Sequence, residues 1–269
     1  KLNWLATSTR PDLATVTSLL STYQNAPTPA DIDTTKYVGR YFKSTPYHGI
    51  TFSNEQNPSL QAYLHLPSEE GRDPSTLLGF ADSNWGPQDA SQPHPDHSRQ
   101  VSTIVTRSIC GHLVFLSGGP IMWRSHKEKR ISGSSCEAEI KATDECTKSI
   151  QWLRNAFSDI SLIDDSQPTT IYNDNRGAVD WSNSTSNKNM RHVNIRENRI
   201  REAVHEFHEV QIRHISGEAN PADLLTKEHK SPDIFMALRD SFMSPSLDGG
   251  CYETVPRGPP HLESKQDGD

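Results

Sequence analysis

The chain has 269 residues, enough for one medium domain with appendages or for two small ones. Apolar residues make up only 33% and 18 prolines are spread along the chain, which predicts one real core with loosely packed ends. A formal charge of −7 argues against a wholesale nucleic-acid coat while leaving room for a local basic groove. The four cysteines form no CxxC pair, which argues against zinc and disulfide frameworks and suits a reducing compartment. No apolar run approaches the length of a membrane span.

The opening KLNWLATSTRPD shows no signal-peptide pattern and reads like the interior of something larger. Two short helical patterns follow, TVTSLLSTYQ and TTKYVGRYFKS, around a PTPAD break. Residues 53–76 are polar and proline-interrupted, a linker or a poorly regular strand pair. LLGFADSNW (78–85, with Leu77 ahead of it) is strand-like, and GPQDASQPHPDHSRQ (86–100) reads as a mobile loop. RSICGHLVFLS (107–117), a GGP turn and IMWRSHKEKRIS (121–132) read as a strand hairpin. From Ser135 to Phe157 the apolar residues Ala138, Ala142, Cys146, Ile150, Leu153 and Phe157 recur at helical steps. TTIYND (169–174) is a strand, RGAVDWSN (176–183) a short helix, NIRENRIREAVHEF (194–207) a charged amphipathic helix and EVQIRHIS (209–216) another strand. Asn220 followed by Pro221 is a helix-start signal, and PDIFMALRDSFM closes the ordered pattern near Met243. The sum is an α/β domain with a mixed sheet. The predicted organisation is 1–52, 53–77 as linker, 78–243 as the main domain, and 244–269 as a disordered tail rich in Pro, Gly and Asp.

Four carboxylates fall on four different elements. Asp82 sits within a strand, where aspartate is disfavoured; an edge strand with a wet face would also explain it. Asp174 ends a strand, as a helix cap or Asx turn would. Asp223 lies three residues after Asn220, as a capping-box partner would. Glu137 and Glu139 lie in the first turn of the long helix, where the macrodipole favours any carboxylate. At about 100° per residue, Glu139 lies about 60° from the apolar stripe at Ala142 and Glu137 about 140° from it, so only Glu139 can lean over the sheet. Together the four can converge on one sheet edge. Clustered carboxylates raise one another's pKa unless cations neutralise them, and hard oxygen ligands suit magnesium or manganese. Paired ions of this kind serve in-line displacement at a phosphodiester.

Here the sequence resembles a known family. GFADSNWG is similar to "GYSDADWAG", which opens the ribonuclease H domain of copia-type retrotransposon polyproteins. The hairpin and SSCEAEI resemble its "SSTEAEY", IYNDNRGAV its "IYCDNQSAI", MRHVNIRENRIRE its "KHIDIRYHFIRE" and ANPADLLTK its "QLADILTK". Upstream, LNWLATSTRPDLATVTSLLS and RYFKSTPYHGI resemble the end of that family's reverse transcriptase, "YLATTRPDIAYAVS" and "RYLKGTKDYGL". Asn84 departs from the family's second aspartate, Cys136 from a threonine and Asn198 from a histidine.

The resemblance implies a ribonuclease H-like α/β fold, a mixed five-stranded sheet with helices on both faces, preceded by a small helical remnant of the reverse transcriptase in residues 1–52. It implies that Asp82, Glu139, Asp174 and Asp223 hold two magnesium or manganese ions and cleave the RNA strand of an RNA–DNA hybrid. The polymerase domain of the same polyprotein would lie upstream, with no membrane involved. The place of action would be a cytoplasmic retrotransposon particle, or the nucleus. Substrate-holding candidates are Lys127, Lys129 and Arg130, then Asn175, Arg191, His192 and His214. Solvated charge, a turn or a strand face are their bland alternatives. Trp85, Trp123 and Trp152 read as core. A strand transferase of similar fold would place its glutamate on a late helix, which the order Asp, Glu, Asp, Asp disfavours. A degenerate domain serving as a nucleic-acid tether is the non-enzymatic alternative.

Overall fold

The computed structural model describes residues 1–52, 76–86, 107–185, 198–229 and 231–245. The expected linker and the inserted loop therefore fall outside the described residues except at their ends, as do Arg191, His192 and everything past 245. Three helices open the chain, α1 (Leu2–Ser8), α2 (Ala14–Thr22) and α3 (Pro29–Ser44), followed by the short strand β1 (His48–Ile50). Thr28 and Asp31 form a reciprocal capping box around Pro29, which fixes where α3 begins. Then come β2 (Leu78–Asn84), β3 (Ile109–Leu116), β4 (Gly119–Lys127), the long helix α4 (Ser135–Ser158), β5 (Thr169–Asn173), α5 (Arg176–Asn183), α6 (Asn198–His205) and β6 (Val210–His214). A 3₁₀ segment over Pro221–Leu225, the helix α7 (Pro232–Asp240) and β7 (Met243–Pro245) complete the described chain.

Five strands form one sheet in the order β4-β3-β2-β5-β6. β2, β3 and β4 are antiparallel neighbours, whereas β5 and β6 run parallel to β2 and to each other. Ser117 and Gly118, both at positive φ, close the β3–β4 hairpin in two residues, the backbone such a tight turn demands. Both faces of the sheet are covered, so β3 is buried along its whole length. On one face the stripe Ala138, Ala142, Cys146, Ile150 and Leu153 of α4 packs with Ala81, Val114 and Ile171, and α5 and α6 extend the layer through Ala178, Val179, Ile200 and Ala203. On the other face Phe80, Leu113, Phe115 and Tyr172 meet Ala14 of α2, Ala222, Leu224 and Leu225 of the 3₁₀ segment, and Leu238 and Phe242 near the chain's end. Phe80 stacks on Tyr172 at 5.4 Å between ring centroids and meets Phe115 edge-on at 5.5 Å. A mixed five-stranded sheet with helices on both faces is the arrangement expected from the sequence.

The first 50 residues are lashed to this domain. Trp123 Nε1 donates to the Ala6 carbonyl at 2.6 Å and Thr15 Oγ1 to the Leu224 carbonyl at 2.7 Å. β1 pairs antiparallel with β7, so Ser244 and Pro245, read from sequence as the start of the tail, belong to a strand. Arg10 and Asp12 form a buried two-pronged ion pair at 2.9 and 2.7 Å, and Tyr41 bridges Asp12 to Arg239 of α7.

Candidate metal centre

Strand pairing between β2 and β5 runs from Leu78↔Thr170 to Phe80↔Tyr172. It stops two residues short of Asp82 and Asp174, which therefore flank the crevice where the parallel strands part. Asp82 is 1% exposed on a central strand, so the edge-strand explanation fails. Asp174 is not the helix cap either, because Asn175 takes that role, its Oδ1 accepting from Ala178 N at 3.0 Å. Glu139 reaches over from the first turns of α4. One oxygen atom each from Asp82, Glu139 and Asp174 lies within 4.8 Å of the others.

Glu139 is 5% exposed and held from three sides. Its Oε1 accepts from Ser83 N at 3.1 Å and Ser83 Oγ at 2.9 Å, and its Oε2 from Asn173 Nδ2 at 2.9 Å. Glu137, two residues earlier, faces the other way, accepting from Gly133 N at 2.8 Å and pairing with Lys141 at 2.8 Å. The helix phase read from the apolar stripe is thus the one observed.

Asp223 approaches from the 3₁₀ segment. Asn220 caps that segment as the sequence suggested, though the turn is 3₁₀ rather than α. The Asp223 carboxylate pairs with Lys227 at 2.6 Å. Lys227 Nζ also lies 3.6 Å from Asp82 Oδ1, and Thr226 Oγ1 donates to Asp82 Oδ2. Gly111, paired with Asp82 across the β2–β3 ladder, makes this approach possible: a Cβ there would stand 2.7 Å from Leu225 Cβ and 2.8 Å from Thr226 Cγ2.

Burial, then Asp82 and Asp174, push the Glu139 carboxyl well up, against the pull of Asn173 and Ser83. Asp174 is raised by burial and by Asp82, and Asp223 likewise. Despite burial, Asp82 and Asp223 hold the Lys227 ammonium above its usual range. Asp82 Oδ1 is a fully buried oxygen with no hydrogen-bond partner. An orphaned carboxylate oxygen amid other hard oxygen donors fits a divalent cation of the magnesium or manganese type.

The chain is 30% identical over 220 residues to the retrovirus-related Pol polyprotein from transposon RE2 of Arabidopsis thaliana, a match covering 81% of this chain and 13% of the relative. It is 29% identical, over the same length, to that from transposon TNT 1-94 of Nicotiana tabacum, covering 81% and 14%. The relatives that match 81% of this chain are retrovirus-related Pol polyproteins of copia-type transposons. The chain spans only about an eighth of the length of these curated relatives. No protein-family profile matches it. Among solved structures, LC11-RNase H1 from compost aligns over 56% of this chain and 93% of its own, at 12% identity and a TM-score of 0.40.

The remaining candidates of this Pol-related chain divide. Lys127, Lys129 and Arg130 line a cavity of about 830 Å³ between the end of β4 and α4, shared with Arg124, Lys141 and Lys148. The last three are already paired, with Glu145 at 3.2 Å, Glu137 at 2.8 Å and Asp144 at 2.6 Å. His214 is exposed at the crevice, its Nε2 donating to the Asp174 carbonyl at 3.1 Å. His229, unnoticed in the sequence, does the same for the Asp223 carbonyl at 3.2 Å. Asn175 has its carboxamide oxygen committed to capping α5. Two tryptophans correct the sequence reading: Trp152 is 61% and Trp85 49% exposed, and only Trp123 is packed inward. Ser83, Asn173, Thr226 and Lys227 were the residues missed. Lys227 had a visible signal, standing four residues after Asp223, the spacing at which a lysine reaches a carboxylate on one helical face.

Proposed function

We propose that this chain hydrolyses the RNA strand of RNA–DNA hybrids, with two divalent ions held by Asp82, Glu139, Asp174 and Asp223. The observation that carries the reading is the Asp82–Glu139–Asp174 cluster, buried but for the half-buried Asp174 and with no hydrogen bond to Asp82 Oδ1, at the crevice where β2 and β5 part. Homology to Pol polyproteins supports a ribonuclease H-like domain in that role.

When bound, the ions would activate the attacking water and stabilise the leaving 3′ oxygen. The chain's own residues supply rigidity and access. Ser83 and Asn173 fix both oxygens of Glu139, and Thr226 fixes one of Asp82. His214, exposed beside Asp174, would help product leave. Lys127, Lys129 and Arg130 give the phosphate backbone a cationic landing at the cavity beside α4, and contacts to the 2′-hydroxyl would select RNA. The upstream polymerase domain and a cytoplasmic retrotransposon particle complete the proposed setting.

The test is cleavage of end-labelled hybrid, compared with single-stranded RNA and duplex DNA, in magnesium, manganese and EDTA. The expected outcome is metal-dependent cutting of hybrid alone, lost in D82N with the fold intact. Cleavage that persists in EDTA would refute the two-metal reading. A second reading, a tether without turnover, has one specific support: Lys227 and three hydrogen bonds already compensate Asp223 and Glu139 without metal. It predicts hybrid binding with no cleavage in any metal.

A further inference from the structure

We propose that Lys227 is a tethered counter-ion that competes with a divalent cation for the Asp82–Asp223 side of the cluster, so that the free chain loads one ion readily and a second only once the ammonium has swung away. The inference rests on the metal-dependent reading above.

The cluster is two-sided. Asp82, Glu139 and Asp174 offer mutually close oxygens, whereas Asp223 is engaged by Lys227 at 2.6 Å. The same ammonium stands 3.6 Å from Asp82 Oδ1, close enough to attract and too far to donate a hydrogen bond. Asp82 is therefore partly neutralised and still coordinatively unsatisfied. The two partners differ in freedom. The Asp82 side chain is 1% exposed and cannot leave, while that of Lys227 is 35% exposed on a flexible four-carbon stem. Since the same carboxylates serve both cations, entry of a doubly charged ion on this side raises the local positive charge unless the ammonium withdraws. A phosphodiester of an incoming nucleic acid strand offers the ammonium a replacement anion. Loading of the second ion is in this way coupled to substrate, and the metal-free fold keeps a built-in cation against carboxylate repulsion.

The experiment uses the full chain without nucleic acid and Mn²⁺ as the probe, with free Mn²⁺ followed by electron paramagnetic resonance. Wild type should bind one ion with a second at least about tenfold weaker; K227M should bind two with closer affinities, and should melt at a lower temperature in EDTA. K227R, which keeps the charge, should behave as wild type. In parallel, lysine acetylation of wild type read by mass spectrometry should label Lys227 several-fold faster in saturating Mn²⁺, with exposed lysines such as Lys36 unchanged. This arm needs no variant to fold. Identical stoichiometry and affinities in K227M and wild type, or Mn²⁺-independent labelling of Lys227, would overturn the counter-ion role while leaving the metal site standing. Absence of Mn²⁺ binding in both chains would overturn the metal-dependent reading and this inference together.

Discussion

Glu139→Gln in the metal-free chain is the perturbation whose sign separates a metal ligand from a structural glutamate. Wild-type Glu139 has its folded pKa raised, first by burial and then by Asp82 and Asp174. A carboxyl raised in this way contributes full stability below its unfolded value of about 4.3, and that stability is lost as pH rises towards the folded value, by at most about 1.4 kcal/mol per pH unit. The neighbouring oxygens lie within 4.8 Å. At an effective dielectric constant of about 20, each such pair repels by about 3.5 kcal/mol once both groups are ionised. Glutamine removes that repulsion and keeps an oxygen for Ser83, but it turns an amide towards Asn173 Nδ2, forfeiting a hydrogen bond worth about 1–2 kcal/mol. Burial and repulsion keep the wild-type carboxyl protonated up to about 9, and holding that proton costs about 1.4 kcal/mol per pH unit above about 4.3; glutamine is free of this cost, so the expected net gain in EDTA is roughly 4 kcal/mol at about pH 8.5, a melting temperature higher by about 8–16 °C. It should vanish or reverse near pH 5, where wild-type Glu139 is protonated. Saturating Mg²⁺ should reverse the order at the alkaline pH, because only wild type has the full ligand set. Glu137→Gln should show none of this, losing about 1 kcal/mol with its Lys141 pair and first-turn position, whatever the metal. Thermal melts across pH, with and without Mg²⁺, read all of it. A Glu139→Gln chain that parallels wild type at every pH in EDTA would refute the electrostatic argument.

Two further outcomes are expected. Asp12→Ala strands the buried Arg10 guanidinium, whose side chain is 3% exposed, and should cost about 3–5 kcal/mol, lowering the melting temperature of the whole domain; a calorimetric scan in which only a minor, separate transition moves would show that residues 1–50 fold apart from the sheet. Replacing Lys127, Lys129 and Arg130 together by alanine should weaken hybrid binding and flatten its salt dependence, measured by fluorescence anisotropy from low to high salt, since each lost phosphate contact removes about 0.7–0.9 from the logarithmic slope; an unchanged slope would assign the three to a solvated face.

Much of this was legible locally. The stripe of α4 set its phase and so chose Glu139 over Glu137, because helix geometry converts spacing directly into direction. The strands carrying Asp82 and Asp174 announced themselves by apolar runs bounded by polar turns. What depended on partners distant in sequence was not legible. β1 and β7 are three-residue strands pairing residues almost two hundred apart, and neither is long enough to leave a periodic pattern. Trp85 was read as core because tryptophan is usually buried, yet it lies half exposed beside the segment that leads from β4 into α4, its Nε1 donating to the Ser132 carbonyl at 2.9 Å. Ser83 and Asn173 left a subtler trace. They stand where the motifs "GYSDADWAG" and "IYCDN" carry alanine and cysteine, and both side chains converge on Glu139. Two separate departures that meet on one carboxylate become meaningful only when the fold brings the strands together.

The same dependence on distant partners gives the first 50 residues a bearing on the site. Asp223, Thr226 and Lys227 all ride on one turn, and that turn has no strand or long helix of its own to hold it. Leu224 and Leu225 pin it from below, buried against Phe80 and Leu113. Its backbone is pinned again by Thr15 of α2, which donates to the Leu224 carbonyl at 2.7 Å from a site only 7% exposed. α2 in turn is seated by the Arg10–Asp12 pair that precedes it and by the Tyr41–Arg239 contact to α7. The path from the N-terminal helices to the carboxylates is thus a short series of hydrogen bonds and packed side chains, and its links to the turn and to α7 join partners about two hundred residues apart. A segment that resembles the end of a polymerase is, in this fold, part of the wall against which the turn carrying Asp223 is set.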